Sequence, residues 1–203
     1  MERPNRRGSP RGRRSDRGRP PVLSREERLS RLIAFILRHH PEQFGLVLDE
    51  RGSAGLEDLA AVVRQRPGME DVTRERIERL VAERQSQRFE VLGDRIRARY
   101  GHSLAQPIRL EAADPPPELF HGTTPESAEA CLMEGLRPGE RQYVHLSSET
   151  PTAREVGRRR CPEPAILRID TAAARRAGIR FYQGGPMVWL SDSIPPACIT
   201  RVE

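Results

Sequence analysis

The 203-residue sequence predicts an α+β fold organised as two units. Three observations carry that reading. Between residues 24 and 83 the apolar residues recur at helical spacing in three stretches, and a strand–turn–strand pattern closes the first half at residues 88–100. From residue 118 onward, short runs of branched and aromatic residues alternate with helical stretches, as in a compact domain with a split, mixed sheet. Pro107 and the run Pro115-Pro116-Pro117 interrupt both patterns and mark a linker over residues 105–117. The expected organisation is a tail over residues 1–23, a first domain over 24–104, the linker, and a second domain over 118–203.

Charge sets the tail apart. Every basic residue in the chain is arginine, and residues 1–22 hold eight of them against Glu2 and Asp16. The tail therefore accounts for the formal net charge of +6, and the remainder is close to neutral. Rich in Arg, Gly, Pro and Ser with almost nothing to bury, it is expected to be disordered and to add sequence-independent attraction to nucleic-acid phosphates. A guanidinium fork also grips phosphate in a bidentate way that an ammonium does not reproduce. Cys131, Cys161 and Cys198 are odd in number and far apart, which fits neither a disulfide framework nor a zinc pattern. No apolar run approaches a membrane span, and the tail lacks the apolar core of a signal peptide. A soluble, cytoplasmic monomer is expected, with no membrane contact and no obligate protein partner.

Order is expected to begin at Ser24, which forms a capping-box pattern with Glu27. Leu29, Leu32, Ile33, Ile36 and Leu37 then make one buried stripe, and Pro41 ends the helix near His40. Arg38, His39 and His40 thus fall in or beside the last turn, where basic side chains also serve as helix caps. Residues 45–52 read as a short strand and turn. A helix follows over residues 56–64, broken by Pro67-Gly68, and Thr73 is a plausible N-cap for a third in which Ile77, Leu80 and Val81 face inward. Residues 88–92 and 95–100 flank the two-residue turn Gly93-Asp94 as a hairpin. Three helices followed by a hairpin suggest a winged-helix domain. On its second strand Ile96, Ala98 and Tyr100 alternate with Arg95, Arg97 and Arg99, so one face presents three guanidiniums, a candidate phosphate-binding patch.

In the second half, residues 119–123 read as a strand ending in His121-Gly122-Thr123. Gly122 lets a neighbour approach the backbone closely, and the flanking side chains supply hydrogen-bonding groups. A helix over residues 125–134 stops at Gly135, and Tyr143-Val144-His145-Leu146 is a second strand with similar cargo. Helices are expected at residues 152–159 and 172–177, the latter ended by Gly178, and strands at 165–169, 179–182, 187–190 and 199–202. Neither a Gly-x-Gly-x-x-Gly nor a Walker pattern occurs, so a nucleotide would not be held in the Rossmann or P-loop way.

His121-Gly122-Thr123, then Val144-His145-Leu146-Ser147, then Val188-Trp189-Leu190-Ser191 resemble the ADP-ribosyltransferase-type NAD site of the RNA 2′-phosphotransferase (KptA) family. Leu37-Arg38-His39-His40-Pro41, with Gly45-Leu46 and Leu48-Asp49, looks like that family's opening motif. The stretch from Ile96 to Ser103 looks like its second. The resemblance covers the chain from about Ser24 to Val202. It implies a winged-helix domain followed by an ADP-ribosyltransferase-like split mixed sheet. It also implies an essential Arg-His-Arg-Arg set at Arg38, His39, Arg97 and Arg141. The implied NAD pocket is His121, Gly122, Thr123, His145, Leu146, Ser147 and Val188, while Arg95, Arg99, His102 and Ser103 complete the RNA- and phosphate-binding set. Three positions depart from the pattern: Gly184-Gly185-Pro186-Met187 stands where relatives usually have an Asn-Gly pair, Ala54 where an aromatic is common, and Cys161 where a glycine is frequent.

The implied reaction removes an internal 2′-phosphate from RNA, as at a tRNA splice junction, with NAD as co-substrate. The 2′-phosphate attacks the ribose C1″ of NAD and displaces nicotinamide. The 2″-hydroxyl then attacks phosphorus, releasing 2′-hydroxyl RNA and ADP-ribose 1″,2″-cyclic phosphate. The nucleophile is the substrate's own phosphate, whose second pKa is near 6. The protein must position the groups and stabilise charge, and no metal is expected. Two alternatives have distinct signatures. One is a transferase that leaves ADP-ribose on a nucleic-acid or protein acceptor, of which the protein-directed kind usually carries Glu where Val188 stands. A non-enzymatic winged-helix binder accounts for Arg95, Arg97 and Arg99 but not for the two histidine motifs.

Overall fold

Ser24 begins the first helix as the capping box requires. Its hydroxyl accepts the Glu27 N–H at 3.1 Å, and its own N–H donates to the Glu27 carboxylate at 2.8 Å. The computed structural model describes residues 23–83 and 88–202, so all but the last residue of the tail expected over residues 1–23 lies outside the described residues. Helix α1 (Arg25–Arg38) buries Leu29, Ile33, Ile36 and Leu37, and a 3₁₀ turn at Pro41–Phe44 reverses the chain. The strand expected within residues 45–52 does not form there. The Asp49 carboxylate accepts the N–H groups of Arg51 and Ser53, both at 2.9 Å, and wraps this segment into a turn. Pairing starts only at β1 (Ser53–Gly55). Helices α2 (Leu56–Arg64) and α3 (Arg74–Glu83) follow, the latter with Thr73 Oγ1 accepting the Arg76 N–H at 3.3 Å. Strands β2 (Phe89–Leu92) and β3 (Arg95–Ala98) form the hairpin, and the antiparallel sheet has the order β1-β3-β2. Leu29, Ile36, Leu59, Ile77, Phe89 and Ile96 lie in one core between the sheet and the three helices.

The second unit has its own core, with Leu119, Leu146, Leu167, Phe181 and Trp189 among its members. Its elements are β4 (Glu118–Thr123), α4 (Pro125–Glu134), β5 (Val144–Ser147), α5 (Thr150–Gly157) and β6 (Ala165–Asp170). Then come α6 (Thr171–Arg176), β7 (Phe181–Gly185), β8 (Val188–Ser191) and β9 (Ile199–Val202). The six strands run in the order β7-β8-β5-β4-β6-β9. Every neighbouring pair is antiparallel, so the expected mixed sheet is corrected to an antiparallel one. The reason is topological. β5 and β6, joined through α5, do run in the same direction, as strand–helix–strand alternation suggests. Strand β4 lies between them and is antiparallel to both, so no parallel pair arises.

Strand β4 pairs with β6 over six positions but with β5 only at Phe120 and Ser147. Beyond that one pair no ladder pairing joins His121-Gly122-Thr123 to Val144-His145-Leu146, which leaves the sheet split between the two histidine motifs.

The connecting segment is stitched to both units. Gln142 donates to the carbonyls of Leu104 and Gln106 at 2.9 and 2.8 Å, and its side-chain oxygen accepts the Ile108 N–H at 2.9 Å. Tyr143 Oη donates to the Ile108 carbonyl at 3.0 Å, and the Ala113 N–H reaches the Phe181 carbonyl at 2.8 Å. On the other side, the Arg109 N–H donates to the Glu50 carbonyl at 2.8 Å. Among the described residues, no helix is long and apolar enough to cross a membrane.

Candidate active site

The last turn of α1 delivers Arg38 and His39 to the seam between the units. Ser103 holds both: its N–H donates to the Arg38 carbonyl at 3.0 Å, and its Oγ lies 2.8 Å from His39 Nδ1. The Arg38 guanidinium lies over the Tyr100 ring, 4.9 Å from its centroid. Its Nε and Nη2 are buried without a hydrogen-bond partner among the described residues. Burial lowers the Arg38 pKa, Tyr100 opposes that shift, and Arg88 and Arg141 add to it. His39 is likewise lowered, first by burial and then by Arg38, His40 and Arg141.

Arg95 and Arg97 on β3, and Arg99 just beyond it, are less free than alternation alone suggests. Arg97 faces Glu90 across the hairpin and binds it through Nε at 2.8 Å and Nη2 at 2.6 Å. Arg99 Nη2 meets the other Glu90 oxygen at 3.3 Å. Arg95 Nη2 donates to the Ser53 carbonyl at 2.6 Å and lies 3.1 Å from Asp49. Among the described residues, no hydrogen bond involves Arg97 Nη1. His102 is 5 % exposed, and burial with the charges of Arg38, His39 and Arg97 holds its pKa down to about 4. It is therefore a neutral support beneath the cluster.

Across the seam, two imidazoles frame the opening in the six-stranded sheet. His121 Nδ1 donates to the His145 carbonyl at 2.9 Å, and His145 Nδ1 donates to the Tyr143 carbonyl at 3.0 Å. A carbonyl only accepts, so each ring carries its proton on Nδ1 and presents an Nε2 lone pair. Burial, Arg141 and Arg38 push the His145 pKa down to about 3, and its buried Nε2 has no partner among the described residues. Burial likewise lowers His121, with Arg160 and Arg141 adding to the shift. These are acceptor groups suited to a sugar hydroxyl.

Thr123 and Ser147 are buried beside them, and Ser147 pairs with Val188 on β8. Gly122 does permit a close approach, but the neighbour is α5. A Cβ on Gly122 would sit 1.9 Å from the Ala153 carbonyl oxygen, and Gly157 faces the same spot. The two glycines let α5 lie flat on β4, and the chain beyond α5 carries Arg159 and Arg160 toward Arg141. Partial burial, Arg160 and Arg159 all lower the Arg141 pKa.

The structure thus gathers Arg38, His39, Arg141 and His145 into one field, with Arg97 reaching it through His102. Arg95 lies toward Asp49 and the turn before β1. Among the described residues, no ion pair involves Arg38, Arg141, Arg159 or Arg160. Sequence reasoning missed Glu90, Tyr100, Gln142, Arg159 and Arg160 as parts of the site. The two-residue hairpin turn places Glu90 opposite Arg97 and was a readable signal for one of them.

Arg38 and Arg141, half-buried and with no carboxylate partner among the described residues, lie beside two neutral imidazole acceptors, and together they have the character of a pocket for a phosphate-bearing nucleotide. A model of the RNA 2′-phosphotransferase, Tpt1 / KptA family matches residues 24–193, and the chain belongs to that family. It is 40 % identical over 174 residues to a protein of Thermococcus kodakarensis named "Probable RNA 2′-phosphotransferase", covering 86 % of this chain and 96 % of that one. A Streptomyces coelicolor protein of the same name is 41 % identical over 171 residues, covering 84 % and 92 %. One from Bacillus thuringiensis is 39 % identical over 167 residues, covering 82 % and 90 %.

Proposed function

We propose that the chain is an NAD-dependent RNA 2′-phosphotransferase that removes an internal 2′-phosphate from RNA. The observation that carries this reading is Arg38, whose Nε and Nη2 are buried near Arg141 with no hydrogen-bond partner and no ion pair among the described residues. Buried guanidinium donors demand acceptors, and phosphate oxygens satisfy them bidentately. Family membership supplies the reaction class. The three-helix unit with its small sheet then acts as a winged-helix RNA-binding domain, and the split six-stranded sheet as an ADP-ribosyltransferase-like NAD domain.

In this reading NAD lies in the opening between β4 and β5, where the lone pairs of His121 and His145 accept ribose hydroxyls. Arg38, His39, Arg97 and Arg141 surround the 2′-phosphate, orient it toward the ribose C1″, and take up the charge that develops on phosphorus when the 2″-hydroxyl attacks. The test is an oligonucleotide bearing one internal 2′-phosphate, incubated with and without NAD. The proposal expects loss of the phosphate only with NAD, unchanged by EDTA. Retention of the phosphate, or abolition by the chelator, defeats it. A persistent ADP-ribosyl adduct as the final product would favour the acceptor-modifying alternative.

A further inference from the structure

The core-facing stripe of α1 is complete without Phe35, which lies on the outer face and is 44 % exposed. It is not isolated. Its ring centroid is 4.9 Å from that of His40 and 6.2 Å from that of Phe44, the latter edge-on at 80°. It is also 6.3 Å from the His39 ring. Phe44 packs inward against the core and carries the Arg66 guanidinium 4.5 Å from its ring centroid. Gln43 Nε2 donates to His40 Nδ1 at 3.1 Å and fixes that ring. Glu42 lies 3.8 Å from His40 at the rim. The result is a propped aromatic surface one helical turn from Arg38 and His39, flanked by positive charge.

We infer that Phe35, His40 and Phe44 form a stacking platform for an unpaired nucleobase of the RNA, the one adjoining the 2′-phosphorylated nucleotide; this rests on the function proposed above. Three features favour a base as occupant. Stacking on aromatic rings is the usual way in which unpaired RNA bases are held, and it tolerates any base because each has a π-face. The adjoining cations attract the phosphates on either side of such a base. The platform also shares an element with His39, so a base stacked there leaves its neighbour's 2′-phosphate at the arginine cluster.

The experiment is a fluorescence titration without NAD, using a 2′-phosphorylated oligonucleotide with 2-aminopurine placed in turn at each neighbouring position. Stacking quenches this base. We expect quenching at one position with the wild-type protein and with Phe35→Tyr. Phe35→Leu keeps the apolar surface but not the π-face, so it should lose the quench and bind about tenfold more weakly. An abasic residue at that position should weaken the wild type by a similar factor and leave Phe35→Leu unaffected. A structural defect in the variant would not produce that pattern. Equal quenching by wild type and Phe35→Leu, or an equal abasic penalty in both, overturns the platform. Phosphate release by the wild type on adding NAD is read separately. Release without a Phe35-dependent quench overturns the platform alone. A Phe35-dependent quench without release leaves the platform standing and overturns the catalytic reading. Absence of both signals overturns both.

Discussion

Arg38 and Tyr100 stand as a cation and the ring beneath it, 4.9 Å from guanidinium carbon to ring centroid. The same ring meets His145 at 5.9 Å in an edge-on contact. Tyr100 therefore joins the helix that delivers Arg38 to the strand that delivers His145. A Cβ on Gly184 would lie 3.1 Å from this ring, which gives the Gly184 departure a steric reason: a side chain there would press on Tyr100.

From this contact follows a graded series at one position. Tyr100→Phe keeps the face and should retain kcat within about threefold, whereas Tyr100→Leu removes it and should lose about tenfold, in line with a partly desolvated cation–π contact. Steady-state kinetics on 2′-phosphorylated RNA decides it; equal loss in both variants would assign the effect to the hydroxyl.

In the proposed reaction Arg141 is expected to act most strongly after the RNA has been joined to ADP-ribose, because the phosphate loses negative charge in the first step and gathers it in the second. Arg141→Ala should slow the second step more than the first, so the branched RNA–ADP-ribose species accumulates as a slower gel band that requires NAD. Arg141→Lys should be nearly as poor, since an ammonium lacks the fork. Loss of substrate without any such band would contradict the step-specific role.

Glu90 holds Arg97 and Arg99 together across the hairpin. Glu90→Gln frees two cations and removes their orientation. Affinity for RNA at low salt should hold or improve, while kcat falls by about tenfold as Arg97 loses its fixed geometry. A fall in affinity with kcat intact would show that Glu90 does not position Arg97.

Much of the local structure was legible in the chain. The Ser24/Glu27 box, Pro125 with Gly135, and the Gly93-Asp94 turn placed their elements correctly, because capping and turn chemistry acts within a few residues. The arrangement of strands was not legible. Nothing local to β5 or β6 announces that β4 will lie between them, and Asp49 delayed β1 through a side-chain turn that a strand-like run conceals. The arginine row on β3 was found, yet its occupancy depended on Glu90, Asp49 and the Ser53 carbonyl, partners supplied by neighbouring strands and the preceding turn. Tyr100 was visible as an alternating residue within the second motif, but its contacts come from α1 and from the other unit, which no local pattern announces.

Gly122→Ala tests the packing of α5 on β4. The added methyl would occupy the place of the Ala153 carbonyl oxygen. Overpacking of this kind costs about 1–3 kcal/mol, so Tm should fall by roughly 5 °C and NAD binding should weaken with it. A variant with unchanged Tm would mean that α5 shifts freely.

Acid stability follows from His102 and His145, held at about 4 and about 3. In the unfolded chain both return to about 6.5. As pH falls below that value the unfolded state takes up protons that the fold refuses, so stability drops through this window and levels off below about pH 3. Above about pH 6.5 these two groups contribute no pH dependence. His102 alone accounts for on the order of 3 kcal/mol across the window. Urea midpoints at about pH 7.5 and about pH 4.5 should differ less in His102→Asn than in the wild type.

Gln142 ties down Leu104, Gln106 and Ile108 with one amide, and its neighbour in the chain is Arg141. The connection between the units is thereby drawn taut beside the very arginine that must meet Arg38 across the seam. The spacing of the two halves is thus tied to a short strap of chain held at Gln142. That strap is a gauge: a stretch of chain holding none of the candidate site residues sets the distance at which those of the two units face one another.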